Sequence, residues 1–197
     1  MPDNTAARIL LVSGSTRSGS TNTAVLRTAP SVAPDGVTTD LYAGLADLPA
    51  FNPDDDHQPL HPAVADLRRQ IAAADAILFC TPEYAGALPG SFKNLLDWTV
   101  GGGEIYGKPV AWINVSSVAA PTGGADAHES LAKVMGYIGV DVVSQACARA
   151  PMSRDAIGDD GLVTDADVRA QLADVLRALA HHVQPSARTA RPAHTGM

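Results

Sequence analysis

The chain has 197 residues, of which 46% are hydrophobic, and a formal net charge of −7 at pH 7, which fits one domain with a buried core. This acidic balance argues against binding to nucleic acid or to an anionic membrane surface, because both require clustered basic residues. Residues 1–8 lack the charged and apolar regions of a signal peptide and no apolar run is long enough to span a membrane, so we expect a cytoplasmic protein.

Short apolar runs alternate along the chain with segments of helical periodicity, the pattern of a parallel sheet covered on both faces. Five runs are predicted strands: 8–12, 38–42, 76–80, 109–115 and 142–148. A helix is predicted to begin near Thr23, and four apolar stripes predict helices around 64–71, 92–96, 131–138 and 168–179. Thr164 and Asp167 have the spacing of a capping box before the last helix.

Five β-α units in this length predict an α/β fold of the flavodoxin-like type, a three-layer sandwich around a five-stranded parallel sheet in the order 2-1-3-4-5. We assign residues 1–184 to this domain and expect the Pro/Ala/Thr-rich tail, 185–197, to be disordered. Ligands of such sheets bind beyond the carboxyl ends of the strands, so the loops at that edge are the candidate site.

The loop after the first predicted strand, GSTRSGSTN at 14–22, has the composition of an anion site. It leads into a helix, whose first backbone N–H groups have no intrahelical partners, and Arg17 adds a positive charge. It does not match a Walker loop, which requires Lys where Ser20 stands, and it lacks G-x-G-x-x-G. The loop therefore predicts a site for a single phosphate, although an ordinary turn before a capped helix remains the alternative. The other candidate donors are Ser15, Thr16, Thr21 and Asn22.

The loop after the third predicted strand begins the stretch TPEYAGALPGSFKNLLDW at 81–98. Pro82 fixes the exit of the chain from the strand, Tyr84 offers an aromatic face with a hydroxyl group, and Gly86 permits close approach of the backbone to a ligand. These features favour a planar heterocycle as the ligand. A β-α loop with a partly buried tyrosine is the alternative.

Two further groups of side chains could carry chemistry. Cys80 and Cys147 are too few for a disulfide framework, and we expect buried, reduced thiols. An acidic and histidine-containing loop could be imagined as a metal site, but it is Pro-rich and lacks a rigid scaffold, so we expect a solvated loop and no metal. Its residues are Asp54, Asp55, Asp56, His57 and His61.

Four segments together resemble the NADPH-dependent FMN reductase family over about residues 8–150. They are GSTRSGSTN, DLPAFNPDDD at 47–56, AAADAILFCTPEYAGALPGSFKNLLDW at 72–98, and the glycine-rich loop with Gly123 and Gly124. The resemblance implies a flavodoxin-like fold with non-covalent FMN that NADPH or NADH reduces, assembled as a homodimer or homotetramer. The flavin carries the chemistry, so no catalytic side chain is expected.

Matched by position, the resemblance assigns the FMN phosphate to the first loop and the isoalloxazine ring to the second. The phosphate residues are Ser15, Thr16, Arg17, Ser20, Thr21 and Asn22; those beside the ring are Pro82, Glu83, Tyr84, Ala85 and Gly86. A third side is closed by Ser116, Ser117, Gly123 and Gly124. Family members often have Asn where this chain has Ala85, which removes any contact of that side chain but preserves backbone contacts.

The function implied is hydride transfer from NAD(P)H to bound FMN and on to a small acceptor, such as a quinone, an azo compound, a metal oxyanion or a flavin. Because one face of the ring would serve both substrates, we expect ping-pong kinetics. A flavodoxin-like electron carrier and a non-enzymatic flavin-binding module remain alternatives. Tyr84 and the predicted helix 91–99, with Trp98 near its end, indicate apolar surface that a second copy would cover.

Overall fold

A parallel β-sheet forms the central layer of the fold. The structure is a computed structural model and describes residues 6–189. The strand order is β2-β1-β3-β4-β5, and a sixth strand also pairs with β4. The strands are β1 (Ala7–Ser13), β2 (Val37–Tyr42), β3 (Ala76–Thr81), β4 (Pro109–Ser116), β5 (Asp141–Val142) and β6 (Ala148–Pro151). This order and the parallel pairing confirm the flavodoxin-like α/β fold.

Helices cover both faces of the sheet because side chains of successive strand residues point to opposite faces. In β1, Ile9 and Leu11 join the core beneath α1 and α5, whereas Leu10 and Val12 join the core beneath the other three helices. The helices are α1 (Thr21–Val32), α2 (Pro62–Ala73), α3 (Gly90–Trp98), α4 (Ala125–Ile138) and α5 (Ala166–Thr189). The predicted apolar stripes therefore mark the buried faces of α2 to α5.

The fifth predicted strand, 142–148, is not continuous. A 3-10 turn, Ser144–Ala146, separates β5 from β6, which then pairs with β4 as far as Ser116 opposite Pro151. Ser144 and Gln145 are exposed, whereas Ala146 and Val143 are buried, so the turn keeps the polar pair in solvent and preserves the apolar contacts. The sheet edge consequently extends three residues beyond the predicted end of this strand.

The beginning and the end of α5 differ from the predictions. Asp165, not Thr164, caps the helix, because its carboxylate accepts hydrogen bonds from the N–H groups of Asp167 and Val168. The hydroxyl of Thr164 instead donates to the carbonyl of Ala156, so the predicted capping box is wrong. The helix continues through residues 185–189, which the sequence assigned to the tail, and residues 190–197 lie outside the described part of the chain.

Trp98 lies in the core and not on a surface that a partner could cover. Its side chain is 1% exposed, its indole N–H donates to the carbonyl of Pro49 at 2.9 Å, and Phe51 packs edge-on against its ring. The expectation that Trp98 contributes to exposed apolar surface is therefore wrong. Among the helices described here, none combines the length and the hydropathy that crossing a membrane requires.

The acidic and histidine-containing loop is partly structural. Asp56 forms an ion pair with Arg68 at 2.7 Å, and both side chains are largely buried. Arg68 also donates to the carbonyl of Trp98 at the end of α3, and His61 caps the first turn of α2 through Nδ1. Within residues 6–189, no three His, Cys, Asp or Glu side chains lie close enough together to hold a metal ion.

Candidate functional site

A cavity of about 660 Å³ opens at the carboxyl edge of the sheet, where four loops meet. The loops follow β1, β3, β4 and β6, so the cavity lies at the position predicted for ligands of this fold. Its size is in the range of pockets that bind cofactors, roughly 300–1,000 Å³. Its wall consists of Ser15, Arg17, Ser20, Thr21, Asn22, Pro82, Glu83, Tyr84, Val115, Ser116, Ser117, Val118, Ala120, Pro121, Met152, Ser153 and Arg154.

The loop after β1 brings the start of α1 to the cavity. The hydroxyl of Ser20 caps the helix by accepting from the N–H of Thr23, and the first intrahelical bond joins Ala24 N–H to the carbonyl of Ser20. The N–H groups of Thr21 and Asn22 precede that bond, so they remain available to an anion. The O–H of Ser20 is also free to donate, since its oxygen acts as the acceptor in the cap.

Gly14 fixes the path of this loop. A Cβ at this position would lie 2.4 Å from Oγ1 of Thr81, and the N–H of Gly14 donates to the carbonyl of Cys80 at 2.8 Å. Only a residue without a side chain permits this approach of β1 to the end of β3. The loops after the two strands are thereby held side by side at the floor of the cavity.

The amide of Asn22 is engaged with the protein. Its Nδ2 donates to the carbonyl of Val115 at 3.4 Å, and its Oδ1 accepts from the thiol of Cys80 at 3.3 Å. Burial raises the pKa of Cys80, so the thiol stays protonated and can donate. A ligand in the cavity would therefore meet the backbone N–H of Asn22, while its side chain ties α1 to β3 and β4.

The loop after β3 ends in a tight turn that presents Tyr84. Tyr84 and Ala87 exchange backbone hydrogen bonds of 3.0 and 3.1 Å, and both central residues, Ala85 and Gly86, have positive φ angles of 51° and 69°. This is the combination of a type I′ turn, in which Asn-Gly is the preferred pair. The Tyr84 side chain is 45% exposed at the mouth of the cavity.

Glu83 fastens the same loop to α4. Its carboxylate accepts from the hydroxyl of Thr122 at 2.5 Å and from the N–H of Ala127 at 3.1 Å. The hydrogen bond from Thr122, with a smaller contribution from Ala127, holds the pKa of Glu83 below its ordinary value and outweighs the opposing effect of burial. The charge of Glu83 is thus directed to the start of α4.

The wall has the opposite charge balance from the chain as a whole. Its charged side chains are Arg17, Arg154 and Glu83, which gives two positive charges and one negative charge, or +1, against −7 for the chain. In the part of the chain that the structure describes, neither arginine forms an ion pair. The cavity therefore favours an anionic ligand.

Comparison with known proteins identifies the family. The model of the NADPH-dependent FMN reductase family matches residues 7–153, which include every strand of the sheet. The chain belongs to the NADPH-dependent FMN reductase family. Membership makes it an oxidoreductase whose cofactors are FMN and NAD(P)H, as the resemblance implied.

Individual relatives agree with this membership. An NAD(P)H-dependent FMN reductase from Pseudomonas aeruginosa is 34% identical over 174 residues, covering 87% of this chain and 92% of that protein. A 2-hydroxy-1,4-benzoquinone reductase from a Burkholderia species is 33% identical over 171 residues, covering 85% and 91%. Among solved structures, a flavoenzyme NAD(P)H:(acceptor) oxidoreductase from Paracoccus denitrificans superimposes with a TM-score of 0.79 at 27% identity, covering 91% of this chain and 98% of that chain.

The residues present fit FMN, the cofactor of the family. Arg17 and the free N–H groups at the start of α1 suit a phosphate, and Tyr84 suits a flat ring. A further observation comes from Ser116, whose buried Oγ has no hydrogen-bond partner among the described residues although it borders the cavity. A buried hydroxyl without a partner is costly, so a polar ligand group is expected to complete it.

Ten of the fifteen residues assigned to FMN lie in the cavity wall: Ser15, Arg17, Ser20, Thr21, Asn22, Pro82, Glu83, Tyr84, Ser116 and Ser117. Five others lie in the same loops but outside the wall. Thr16 is exposed, Ala85 and Gly86 form the turn beyond Tyr84, and Gly123 and Gly124 precede α4. Gly124 has a φ of 82°, and its N–H donates to Thr122, so these two glycines shape the segment that Glu83 holds.

Seven residues of the wall were not predicted: Val115, Val118, Ala120, Pro121, Met152, Ser153 and Arg154. Most informative are the last three, which follow β6. Met152 donates its N–H to the carbonyl of Ser116 at 2.9 Å, so this segment begins at the same edge as the other loops. The sequence feature that could have pointed to this segment is a cationic residue, Arg154, shortly after the fifth predicted strand, 142–148.

Proposed function

We propose that this chain is an FMN-dependent NAD(P)H oxidoreductase that reduces small acceptors of the quinone class. One observation carries the assignment of the site: a single cavity joins the phosphate-type loop of Arg17 to the exposed aromatic ring of Tyr84. The family supplies the cofactors, and a relative of similar length is named a benzoquinone reductase. Azo compounds, metal oxyanions and free flavin are further acceptors of the same proposal.

In this proposal the chain binds and orients, whereas the cofactor supplies the redox chemistry. Arg17, the hydroxyls of Ser15 and Ser20, and the N–H groups of Thr21 and Asn22 hold the phosphate. When bound, the flavin supplies a ring that exchanges two electrons with a nicotinamide or a quinone. Ser116 donates to a polar group of the cofactor through its hydroxyl, which has no partner among the residues that the structure describes.

The phosphate assignment is tested by comparing FMN with riboflavin, which lacks the phosphate. Arg17→Ala should weaken FMN binding by about 1.5–3 kcal/mol, or roughly 10- to 150-fold in Kd, because it removes one charge-assisted hydrogen bond. Riboflavin binding should be nearly unchanged. Quenching of flavin fluorescence measures both constants, and Arg27→Ala on α1, outside the cavity wall, is the control for loss of one charge. Equal losses for the two flavins would exclude the assignment.

Ping-pong kinetics belong to the same proposal. The described loops surround one cavity, so the nicotinamide and the acceptor are expected to enter it in turn. Initial rates measured at several concentrations of NADPH and of a benzoquinone should then give parallel double-reciprocal plots. Intersecting lines would show that both substrates bind at once and would leave the reductase assignment intact.

We also propose a cytoplasmic homodimer or homotetramer. Assembly is supported by Tyr84 and Val118, which expose 45% and 69% of their surfaces beside the cavity. The compartment is supported by the two cysteines, which are free thiols, as in a reducing environment. Light scattering at micromolar concentration measures the assembly, and a particle of 20.3 kDa would contradict it.

A further inference from the structure

Arg154 reaches the cavity from a segment that contains none of the predicted site residues. It follows β6, whose last residue, Pro151, lies opposite Ser116 in the sheet. The hydrogen bond from Met152 N–H to the carbonyl of Ser116 fixes the start of this segment. Ser153 then caps the short 3-10 helix Arg154–Ala156 by accepting from the N–H of Asp155. The backbone that carries Arg154 is therefore anchored at the edge of the cavity.

The chain after Arg154 runs beside α1, the helix whose start borders the cavity. Val163 donates its N–H to the hydroxyl of Thr28 at 2.9 Å, and Arg169 donates to the hydroxyl of Ser31 at 3.2 Å. Both acceptors lie on α1. These contacts tie the chain that follows Arg154 to α1, and Arg17 and Arg154 line the same cavity.

The charge of Arg154 is not used within the described part of the chain. Its guanidinium has no carboxylate partner and no hydrogen bond to another residue between positions 6 and 189. Glu83 is the acidic residue of the wall, and its carboxylate is already occupied by Thr122 and Ala127. Arg154 is therefore available to an anion in the cavity.

We propose that Arg154 is a second cationic ligand for a phosphate monoester, acting from the loop after β6 while Arg17 acts from the loop after β1. A phosphate monoester carries a charge of about −1.5 to −2 at pH 7, so Arg17 alone does not balance it. Guanidinium groups suit this ligand because they donate two parallel hydrogen bonds to phosphate oxygens. Two sources offer this chemistry, the 5′-phosphate of FMN and the 2′-phosphate of NADPH; the proposal rests on the proposed function.

The test compares Arg154→Ala with the conservative variant Arg154→Lys and with the control variant Arg27→Ala. Arg27 is an exposed arginine of α1 that lies outside the cavity wall. In the first arm, flavin-free protein is titrated with FMN and with riboflavin, and Kd is read from flavin fluorescence. In the second arm, FMN-loaded protein is titrated by calorimetry with NADP⁺ and with NAD⁺, which differ by the 2′-phosphate monoester. Neither arm depends on turnover.

In at least one arm, Arg154→Ala should raise the Kd of the ligand that carries the phosphate monoester by roughly 10- to 100-fold and leave the Kd of its matched ligand nearly unchanged. Arg154→Lys should recover part of the loss, since it retains the charge but not the paired donors. A selective loss of affinity in the first arm would identify the 5′-phosphate of FMN as the ligand of Arg154, and a selective loss in the second arm would identify the 2′-phosphate of NADPH. If Arg154→Ala behaves like Arg27→Ala in both arms, or weakens matched ligands equally, the proposal is wrong. Failure of the wild-type protein to bind FMN would instead refute the proposed function.

Discussion

Ala85 occupies the first central position of the turn between Tyr84 and Ala87, where its φ angle is 51°. It is the one residue other than glycine with a positive φ between positions 6 and 189. A left-handed conformation brings Cβ close to the following carbonyl oxygen and costs a residue such as alanine roughly 1–2 kcal/mol. We predict that Ala85→Gly stabilises the protein, because it removes this contact without changing the path of the chain.

The net gain is smaller than the strain that is removed. Replacing Ala by Gly increases the conformational entropy of the unfolded chain, which costs about 0.4–1 kcal/mol. The expected gain in the free energy of unfolding is therefore about 0.5–1 kcal/mol, or an increase in Tm of roughly 1–4 °C for a chain of this size. Ala85→Asn should also be stabilising, since Asn tolerates this conformation better than Ala.

Ala87→Gly is the matched control, because it makes the same chemical change two residues later at a position without positive φ. It should destabilise the protein by about 0.4–1 kcal/mol, through the unfolded state alone. Gly86→Ala provides the reverse test: its new Cβ would lie 3.5 Å from the nearest atom, Oδ2 of Asp126, so only the backbone strain at a φ of 69° opposes it.

Urea unfolding monitored by circular dichroism measures all of these variants at one pH, with and without FMN. The difference between Ala85→Gly and Ala87→Gly isolates the strain and should be about 1–2 kcal/mol. Equal destabilisation by the two substitutions would refute the reasoning, since it would show that Ala85 stores no strain.

Two further predictions concern a buried arginine and a half-buried histidine away from the cavity. Arg68→Met should lower the free energy of unfolding in urea by about 3–5 kcal/mol, because it leaves the largely buried Asp56 carboxylate without its partner. Adding Asp56→Asn removes that unpaired charge and should restore part of the stability. If the double variant is as unstable as Arg68→Met alone, the unpaired charge is not the cause. Burial, with the nearby charge of Arg149, lowers the pKa of His128, so the unfolded chain binds the proton more readily than the folded chain. The contribution of neutral His128 to the free energy of unfolding should therefore be fully present above about pH 6.5, the ordinary pKa of histidine, and should fall as the pH drops below that value. His128→Gln should reduce this dependence between pH 7.5 and 5.5, and an unchanged dependence would assign it to other groups.

The strands and most helices could be predicted because their signals are local. β3 is buried along its whole length and is apolar from Ala76 to Cys80, and the buried stripes of α2 to α5 repeat at helical spacing. The interruption between β5 and β6 was not predictable in this way. It depends on how Val143 and Ala148 pair with β4, and the two exposed residues between them are too few to break an apolar pattern.

The same error explains why Arg154 was missed. A strand predicted to end at 148 places residue 154 well beyond the sheet, whereas β6 ends at Pro151 and places Met152 beside Ser116. Trp98 was misassigned for a related reason. Its partners, Pro49 and Phe51, come from a loop distant in sequence, and helical periodicity alone does not reveal that this loop covers the end of α3.

The floor and the mouth of the cavity are held in different ways. At the floor, buried polar contacts link α1, β3 and β4: Cys80 to Asn22, Asn22 to Val115, and Asn114 to Thr81. Networks of this kind fix geometry, because breaking one bond leaves a buried group without a partner.

The mouth, defined here as Tyr84, Val118 and Pro121, consists of exposed side chains on loops. A rigid floor suits a cofactor shared by the whole family, whereas an exposed mouth can accept substitutions at little cost in stability. Differences in acceptor between relatives are therefore expected to arise at the mouth. Replacing Val118 or Pro121 should change the KM for quinones and leave the Kd for FMN unchanged, and a parallel change in both constants would show that floor and mouth are not independent.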